Sequence, residues 1–153
     1  KEFDLVFSLF HVACYFYTDK CLHSFFKTAS KHLKRDCLFI FDYWFGPAVL
    51  HQKPSKRKKI IKNGNDYIER DCESLLNTNN STVTVNYEIK FLSNKKEYIE
   101  PISETHTLRY LFLDEINYLS QYYGFEVMNH CKWLGENKPT KNDWSAFSIL
   151  KKK

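Results

Sequence analysis

A chain of 153 residues is long enough for one domain but not for two of ordinary size, and its 43% hydrophobic and 17% aromatic content predicts a globular core rather than a disordered tail. The formal net charge of +5 makes nucleic acid a candidate partner, but much of it comes from two basic runs, Lys53 to Lys62 and Lys151 to Lys153, which are typical of solvated loops. No run approaches the roughly 18 apolar residues of a membrane span. The first residues lack both the charged and then apolar regions of a signal peptide and an initiator methionine. We therefore expect a cytoplasmic protein without a membrane segment, whose first residue is not a natural start.

The cysteines form an odd set without a C-x-x-C pair, which favours neither a disulfide framework nor a zinc site. We expect them to be reduced and mostly in the core. They are Cys14, Cys21, Cys37, Cys72 and Cys131.

The first third of the chain predicts a strand, a helix and a second strand. Phe3 to Phe10 is a nearly continuous apolar run, typical of a strand buried on both faces of a parallel sheet, so its second neighbour is expected upstream. Thr18 or Asp19 can cap a helix whose apolar residues recur at helical spacing as far as Leu33. Cys37 to Tyr43 then predicts the second strand of a right-handed parallel βαβ unit.

The middle of the chain predicts loops followed by a β-hairpin. From Gly46 to about Asn80 the sequence is basic and poor in apolar residues, so we expect loops with one short helix or strand. Apolar and polar residues alternate cleanly from Val83 to Phe91, which predicts an antiparallel strand with one wet face. A turn at 93–96 leads into a return strand at 97–109, where Pro101 indicates an edge or a bulge.

The last third predicts a helix and two closing strands. Phe112 to Tyr123 has helical spacing, with Gly124 as the residue that ends the helix, and strands follow at 125–134 and 144–150.

Three stretches in this order resemble the class I S-adenosylmethionine-dependent methyltransferases that modify small molecules, in particular the group with sugar N-methyltransferases. They are "FDLVFSLFHVACYF", "LKRDCLFIFDYWFGPAVL", in which Arg35-Asp36-Cys37 replaces the usual Pro-Gly-Gly, and "ETHTLRYLFLDEINYLSQYYGFEV". The resemblance covers Phe3 to Leu150. It implies an α/β fold: the C-terminal part of a Rossmann-like sheet in the order β-α-β, inserted β-hairpin, α-β-β. The chain would be a single truncated domain, residues 1–153, with an insertion at about 46–110 that carries the hairpin at about 82–109.

The resemblance also implies S-adenosylmethionine as cofactor, but the family's main cofactor-binding elements have no counterpart here. None of the four glycines forms a G-x-G motif, and the acidic residue that ends the family's second strand is absent. We therefore expect these elements to precede Lys1 in a longer parent, and the isolated chain to bind the cofactor weakly or not at all.

Ligands of open α/β sheets bind outside the carboxyl ends of the strands, which selects two groups of residues. Phe10, His11 and Tyr15 follow the first strand, and Asp42-Tyr43-Trp44 end the second. By resemblance the first group lies beside the methionine end of the cofactor and the second beside the methyl acceptor. Alternatively, Tyr15 and Trp44 are simply large core residues.

An amine or hydroxyl acceptor must lose a proton near methyl transfer, and a histidine, whose ordinary pKa is near neutrality, is a natural base. His106 is our first candidate catalytic residue and His11 the second. In an extended strand Glu104, His106 and Tyr110 share one face, while Arg109 falls on the other. Glu104, Arg109 and Tyr110 are thus candidates for substrate binding; alternatively, Glu104 and Arg109 form a structural salt bridge and His106 is a satisfied polar residue.

Methyl transfer to a small-molecule acceptor in the parent protein is the leading hypothesis. The alternatives are a non-catalytic interaction domain and a basic nucleic-acid-binding module, the latter disfavoured because Lys53 to Lys62 lacks interleaved aromatic residues. No residue spacing indicates a metal site, even at His130-Cys131, and the sequence predicts neither the acceptor nor the oligomeric state.

Overall fold

The computed structural model describes residues 1–64, 66–92 and 100–153, which divide into two compact units. Unit 1 comprises Lys1–Lys53 and Leu108–Lys153, and unit 2 comprises Pro54–Thr107. The elements in chain order are β1 (Phe3–Ser8), a 3-10 turn (Val12–Tyr15), α1 (Asp19–His32), β2 (Leu33–Trp44), α2 (Gly46–Gln52), β3 (Arg57–Asn63), β4 (Asp66–Asn77), β5 (Thr82–Leu92), β6 (Ile102–Arg109), α3 (Leu113–Tyr122), β7 (Phe125–Lys132) and β8 (Ser145–Lys152).

Unit 1 is built on a four-stranded sheet in the order β1-β2-β8-β7. β1 and β2 run parallel and are joined through α1, as the sequence predicts, while β8 is antiparallel to both β2 and β7. The carboxyl ends of β1 and β2 therefore lie at one edge of the sheet, and β8 begins at that edge with Ser145 opposite Trp44. The α/β fold class is confirmed.

Helix α1 packs an aromatic core against one face of this sheet. The side chain of Thr18 caps the helix by accepting the N–H of Cys21 at 3.2 Å, as predicted. Phe26 is fully buried and lies edge-to-face against Phe41, with ring centroids 5.5 Å apart. At the other end Lys152 Nζ donates to the carbonyl oxygens of Ser30 and, at 2.7 Å, of Leu33, and so satisfies carbonyls that the helix leaves unpaired.

The apolar strand β1 is less buried than its composition predicts. Among the described residues β1 pairs only with β2, so it is an edge strand of the sheet. Phe7 is 64% exposed and Leu5 48% exposed. An apolar edge strand of this kind is a template for pairing with another strand.

Unit 2 is a four-stranded sheet in the order β3-β4-β5-β6, in which β4 is antiparallel to both β3 and β5. The predicted alternation in β5 is confirmed, since Val83 and Val85 are buried while Glu88 faces the charged side of the sheet. The predicted turn at 93–96 and the start of the return strand lie outside the described residues. The expectation of loops with one short helix or strand from Gly46 to Asn80 is wrong in extent, because a helix and two strands, α2, β3 and β4, occupy most of that segment.

The basic run from Lys53 to Lys62 therefore includes β3, an edge strand, rather than forming only a solvated loop. Lys58 Nζ lies 2.7 Å from Glu69 and 3.7 Å from Asp71 on the neighbouring strand β4. These cross-strand ion pairs support strands whose apolar alternation is weak, and lysines on an edge strand disfavour pairing with other chains.

The remaining elements agree with the sequence. Helix α3 ends before Gly124, whose φ of 76° is a conformation that glycine adopts without strain, and β7 and β8 follow as predicted. No helix in the described ranges combines the length and apolar character that a membrane crossing requires.

Candidate functional site

The loop after β1 turns sharply at the carboxyl edge of the unit 1 sheet. Phe10 and His11 have φ values of 64° and 61°, in the left-handed region that non-glycine residues rarely adopt. Backbone strain of this kind costs on the order of 1–3 kcal/mol per residue and persists only where surrounding contacts hold it.

Asp42 at the end of β2 makes such a contact. Its side chain is 1% exposed, and Oδ1 accepts the backbone N–H of His11 at 2.9 Å. The other carboxylate oxygen, Oδ2, has no hydrogen-bond partner among the described residues and lies 3.6 Å from His11 Nε2. The same nitrogen is 2.9 Å from the hydroxyl of Ser145, the first residue of β8. The structure thus brings together two predicted site residues and adds Ser145, which no sequence signal marks.

Trp44 extends this cluster. Its ring centroid lies 6.2 Å from that of His11 and 5.7 Å from that of Trp144. The backbone N–H of Trp44 donates to Cys14 Sγ at 3.2 Å, and burial raises the pKa of that thiol to about 12. Cys14 therefore stays protonated at neutral pH and is a structural residue rather than a nucleophile.

The other predicted residues near this edge differ in position. Phe10 is 82% exposed and Tyr15 49% exposed, so neither is a core residue. Tyr43, by contrast, is fully buried on the opposite face of β2 from Asp42, where its hydroxyl accepts a hydrogen bond from Ser148 at 3.2 Å and burial raises its pKa above the ordinary value. Neighbouring residues of a strand point to opposite faces, so Asp42 and Tyr43 do not belong to one pocket.

The hydroxyl of Ser148 links Tyr43 to His130, whose Nδ1 is 2.8 Å from Ser148 Oγ and whose Nε2 is 2.9 Å from Asn117 Oδ1. Burial, with a smaller effect of Lys138, lowers the pKa of His130. Below pH 6.5, the ordinary pKa of a histidine, His130 consequently binds a proton more readily in the unfolded chain than in the folded chain.

We expect the free energy of unfolding to fall as the pH is lowered through this range, and replacement of His130 by glutamine to reduce that fall. Urea titrations at pH values on either side of 6.5 measure the difference. His51→Gln, at an exposed histidine of α2, is the matched control and should behave as the wild type. Identical pH dependence in the His130 variant and the wild type would contradict the expectation.

His106, our first candidate base, lies in unit 2. Its Nε2 is 3.3 Å from Glu104 Oε2, and its ring centroid is 5.8 Å from that of Tyr87. The guanidinium of Arg70 lies 5.3 Å above the Tyr87 ring. The predicted proximity of Glu104 and His106 is therefore present, in a cluster that also contains a cation over an aromatic ring.

Arg109 and Tyr110 belong to unit 1. Arg109 is 13% exposed; it pairs with Glu115 of α3 and, at 2.7 Å, with Asp19 of α1 rather than with Glu104. Tyr110 is 1% exposed, with its ring centroid 5.8 Å from that of Phe112. These contacts favour a structural role for both residues. No group of three or more potential metal ligands occurs in the described parts of the chain.

Comparison with known proteins shows similarity in structure only. No protein-family model matches the chain, and no curated protein matches its sequence. Among solved structures, a S-adenosylmethionine-dependent methyltransferase from Clostridium acetobutylicum is 18% identical with a TM-score of 0.79, over 99% of this chain and 59% of that chain. DesVI from Streptomyces venezuelae is 12% identical with a TM-score of 0.75, and the match covers 100% of this chain and 60% of DesVI. A third similar structure, solved with S-adenosylmethionine bound, is an amino pentose methyltransferase of calicheamicin biosynthesis from Micromonospora echinaspora. It is 14% identical with a TM-score of 0.75, and the match covers 99% of this chain and 59% of that chain.

The chain therefore has the fold found in S-adenosylmethionine-dependent methyltransferases. It spans about 60% of the length of these solved chains.

Proposed function

We propose that this chain is the substrate-side portion of a protein that transfers a methyl group from S-adenosylmethionine to a small molecule. The fold supports the reaction class, because two of the structurally similar chains are described as methyltransferases, and S-adenosylmethionine is named for both. The acceptor is a small molecule with a nucleophilic nitrogen or oxygen. One of the similar chains is described as an amino pentose methyltransferase, and an amino pentose is a small molecule of this kind.

The observation that carries the proposal is the cluster of Asp42, His11 and Ser145 at the carboxyl edge of β1 and β2. Ligands of open α/β sheets bind at this edge. A carboxylate that is 1% exposed and has an oxygen without a hydrogen-bond partner in the described residues is costly in a purely structural role. Such an oxygen suits a site that a polar or cationic group completes.

The residues around the cluster fit a sulfonium cofactor. Methyl transfer is an in-line displacement in which the protein mainly supplies orientation and excludes water, and proximity alone is worth about 7–11 kcal/mol. Trp44 offers an aromatic face for a cation, and desolvated contacts of this kind contribute about 2 kcal/mol. When bound, the cofactor supplies the electrophilic methyl group; His11, Phe10 and Tyr15 would line its methionine end, and Asp42 and Trp44 the acceptor.

We further propose that a histidine takes the acceptor's proton. His106 is the candidate in unit 2, where Glu104 lies 3.3 Å from Nε2 and can orient the ring. His11 is the candidate in unit 1, oriented through Asp42 and Ser145.

The missing G-x-G motif leads us to expect that the isolated chain binds S-adenosylmethionine only weakly. Isothermal titration calorimetry of the 153-residue chain should give a Kd of about 1 mM or weaker, corresponding to no more than about 4 kcal/mol of binding free energy. A micromolar Kd would overturn the assignment of the main cofactor contacts to a segment outside this chain. Absence of binding by a longer form that carries a glycine-rich loop would overturn methyl transfer itself.

A further inference from the structure

The two ring nitrogens of His11 have different surroundings. Nε2 is 2.9 Å from Ser145 Oγ and 3.6 Å from Asp42 Oδ2, whereas Nδ1 has no hydrogen-bond partner within the described part of the chain. His11 is 34% exposed and Asp42 is 1% exposed, so the imidazole covers a carboxylate that is removed from water.

The carboxylate favours a proton on the nearer nitrogen. An ionised Asp42 is an acceptor only, and its Oδ1 is already occupied by the backbone N–H of His11. The remaining charge on Oδ2 attracts an N–H at Nε2 and repels a lone pair there, and the attraction is stronger in the buried site than in water. The hydroxyl of Ser145 can donate or accept, so it accommodates either form of the ring.

We infer that Asp42 is a positioning residue that holds neutral His11 with its proton on Nε2 and leaves Nδ1 as the nitrogen that accepts a proton. The inference rests on the proposed function only in naming the methyl acceptor as the source of that proton. The acceptor's lone pair forms a bond to the methyl carbon, and the carbon–sulfur bond of the sulfonium breaks with its electron pair going to sulfur. The acceptor's proton passes to Nδ1, and the resulting imidazolium lies against Asp42.

The same carboxylate also holds the backbone that carries His11. The hydrogen bond from His11 N–H to Oδ1 ties the left-handed loop after β1 to the end of β2, so ring and backbone are oriented by one side chain. Asp42→Asn separates the two roles. Its amide oxygen can keep accepting the His11 N–H, which fixes the NH2 group in the place of Oδ2, where its partial positive charge favours a lone pair on Nε2.

The tautomer of His11 is measured by long-range ¹H–¹⁵N correlation NMR on the ¹⁵N-labelled chain without cofactor, at a pH where the ring is neutral. The Nε2–H form is expected in the wild type, and the Nδ1–H form in Asp42→Asn. Ser145→Ala is the matched control and should retain the Nε2–H form, because it leaves Asp42 in place. Backbone amide spectra of each variant verify the fold, and His11→Gln identifies the resonances.

An Nδ1–H ring in the wild type, or an unchanged tautomer in Asp42→Asn, would overturn the inference. Either result leaves methyl transfer untouched, because no methyl donor is present. Conversely, failure of a longer form that carries a glycine-rich loop to bind S-adenosylmethionine would overturn the proposed function but not the tautomer that the spectra report.

Discussion

Replacing Arg109 by methionine is expected to destabilise the chain by about 3 kcal/mol at neutral pH, because removing one partner of a largely buried ion pair leaves the other charge uncompensated. The side chain of Arg109 is 13% exposed, and its partner Glu115 is 23% exposed. Burial raises the pKa of Glu115, and the neighbouring Arg109 opposes that rise. Without Arg109, burial and the charge of Asp19 raise the pKa of Glu115, and only the backbone hydrogen bond at Phe112 opposes them.

The loss should shrink as the pH falls. A carboxyl whose folded pKa lies above its ordinary value of 4.5 binds a proton more readily in the folded chain, so stability recovers as the pH falls through the folded pKa. Urea unfolding near neutrality and near pH 5 measures both effects. Asp19→Asn is the control; Asp19 is 83% exposed, and its loss should cost less than about 1 kcal/mol. An Arg109→Met chain as stable as the wild type would contradict the structural role and favour the predicted role of Arg109 in substrate binding.

Replacing Phe7 by lysine is expected to shift the chain from self-associated to monomeric. Phe7 is 64% exposed on β1, an edge strand in the described structure, and its neighbour Leu5 is 48% exposed. Unpaired N–H and C=O groups next to exposed apolar side chains favour pairing with another strand, and a lysine charge opposes it. Because the side chain is exposed, the substitution leaves the core of unit 1 intact.

Size-exclusion chromatography with light scattering over a concentration series measures this change. The matched control is Tyr118→Lys on α3, which places the same charge at a residue that is 61% exposed but not on a strand edge. It should associate as the wild type does. A wild-type chain that is monomeric throughout, or equal effects of the two substitutions, would show that the β1 edge does not govern association.

The regular elements of unit 1 could be predicted because their signals are local. Thr18 and the apolar spacing of α1 lie within a few turns of one another, and the buried strand β2 is apolar on both faces. β3 and β4 could not be predicted in this way, since the ion pairs of Lys58 with Glu69 and Asp71 support them and such pairs are visible only after the strands are aligned.

The candidate site was predictable in part. The carboxyl-end rule selects His11 and Asp42 without the structure, and strand alternation alone implies that Asp42 and Tyr43 point to opposite faces. Ser145 could not be found, because an isolated serine at the start of a distant strand carries no pattern. The ion pairs of Arg109 could not be found for a similar reason: its partners Asp19 and Glu115 come from two helices whose proximity to β6 only the fold establishes.

The most direct test of the proposed site is a ¹H–¹⁵N NMR titration of the chain with S-adenosylmethionine at millimolar concentrations, where even weak binding changes amide chemical shifts. We expect the largest changes on the loop after β1, including His11 and Tyr15, and on Asp42 and Trp44 at the end of β2. Changes confined to the β3–β4 edge around Lys58 would contradict a cofactor site at the carboxyl edge of the unit 1 sheet.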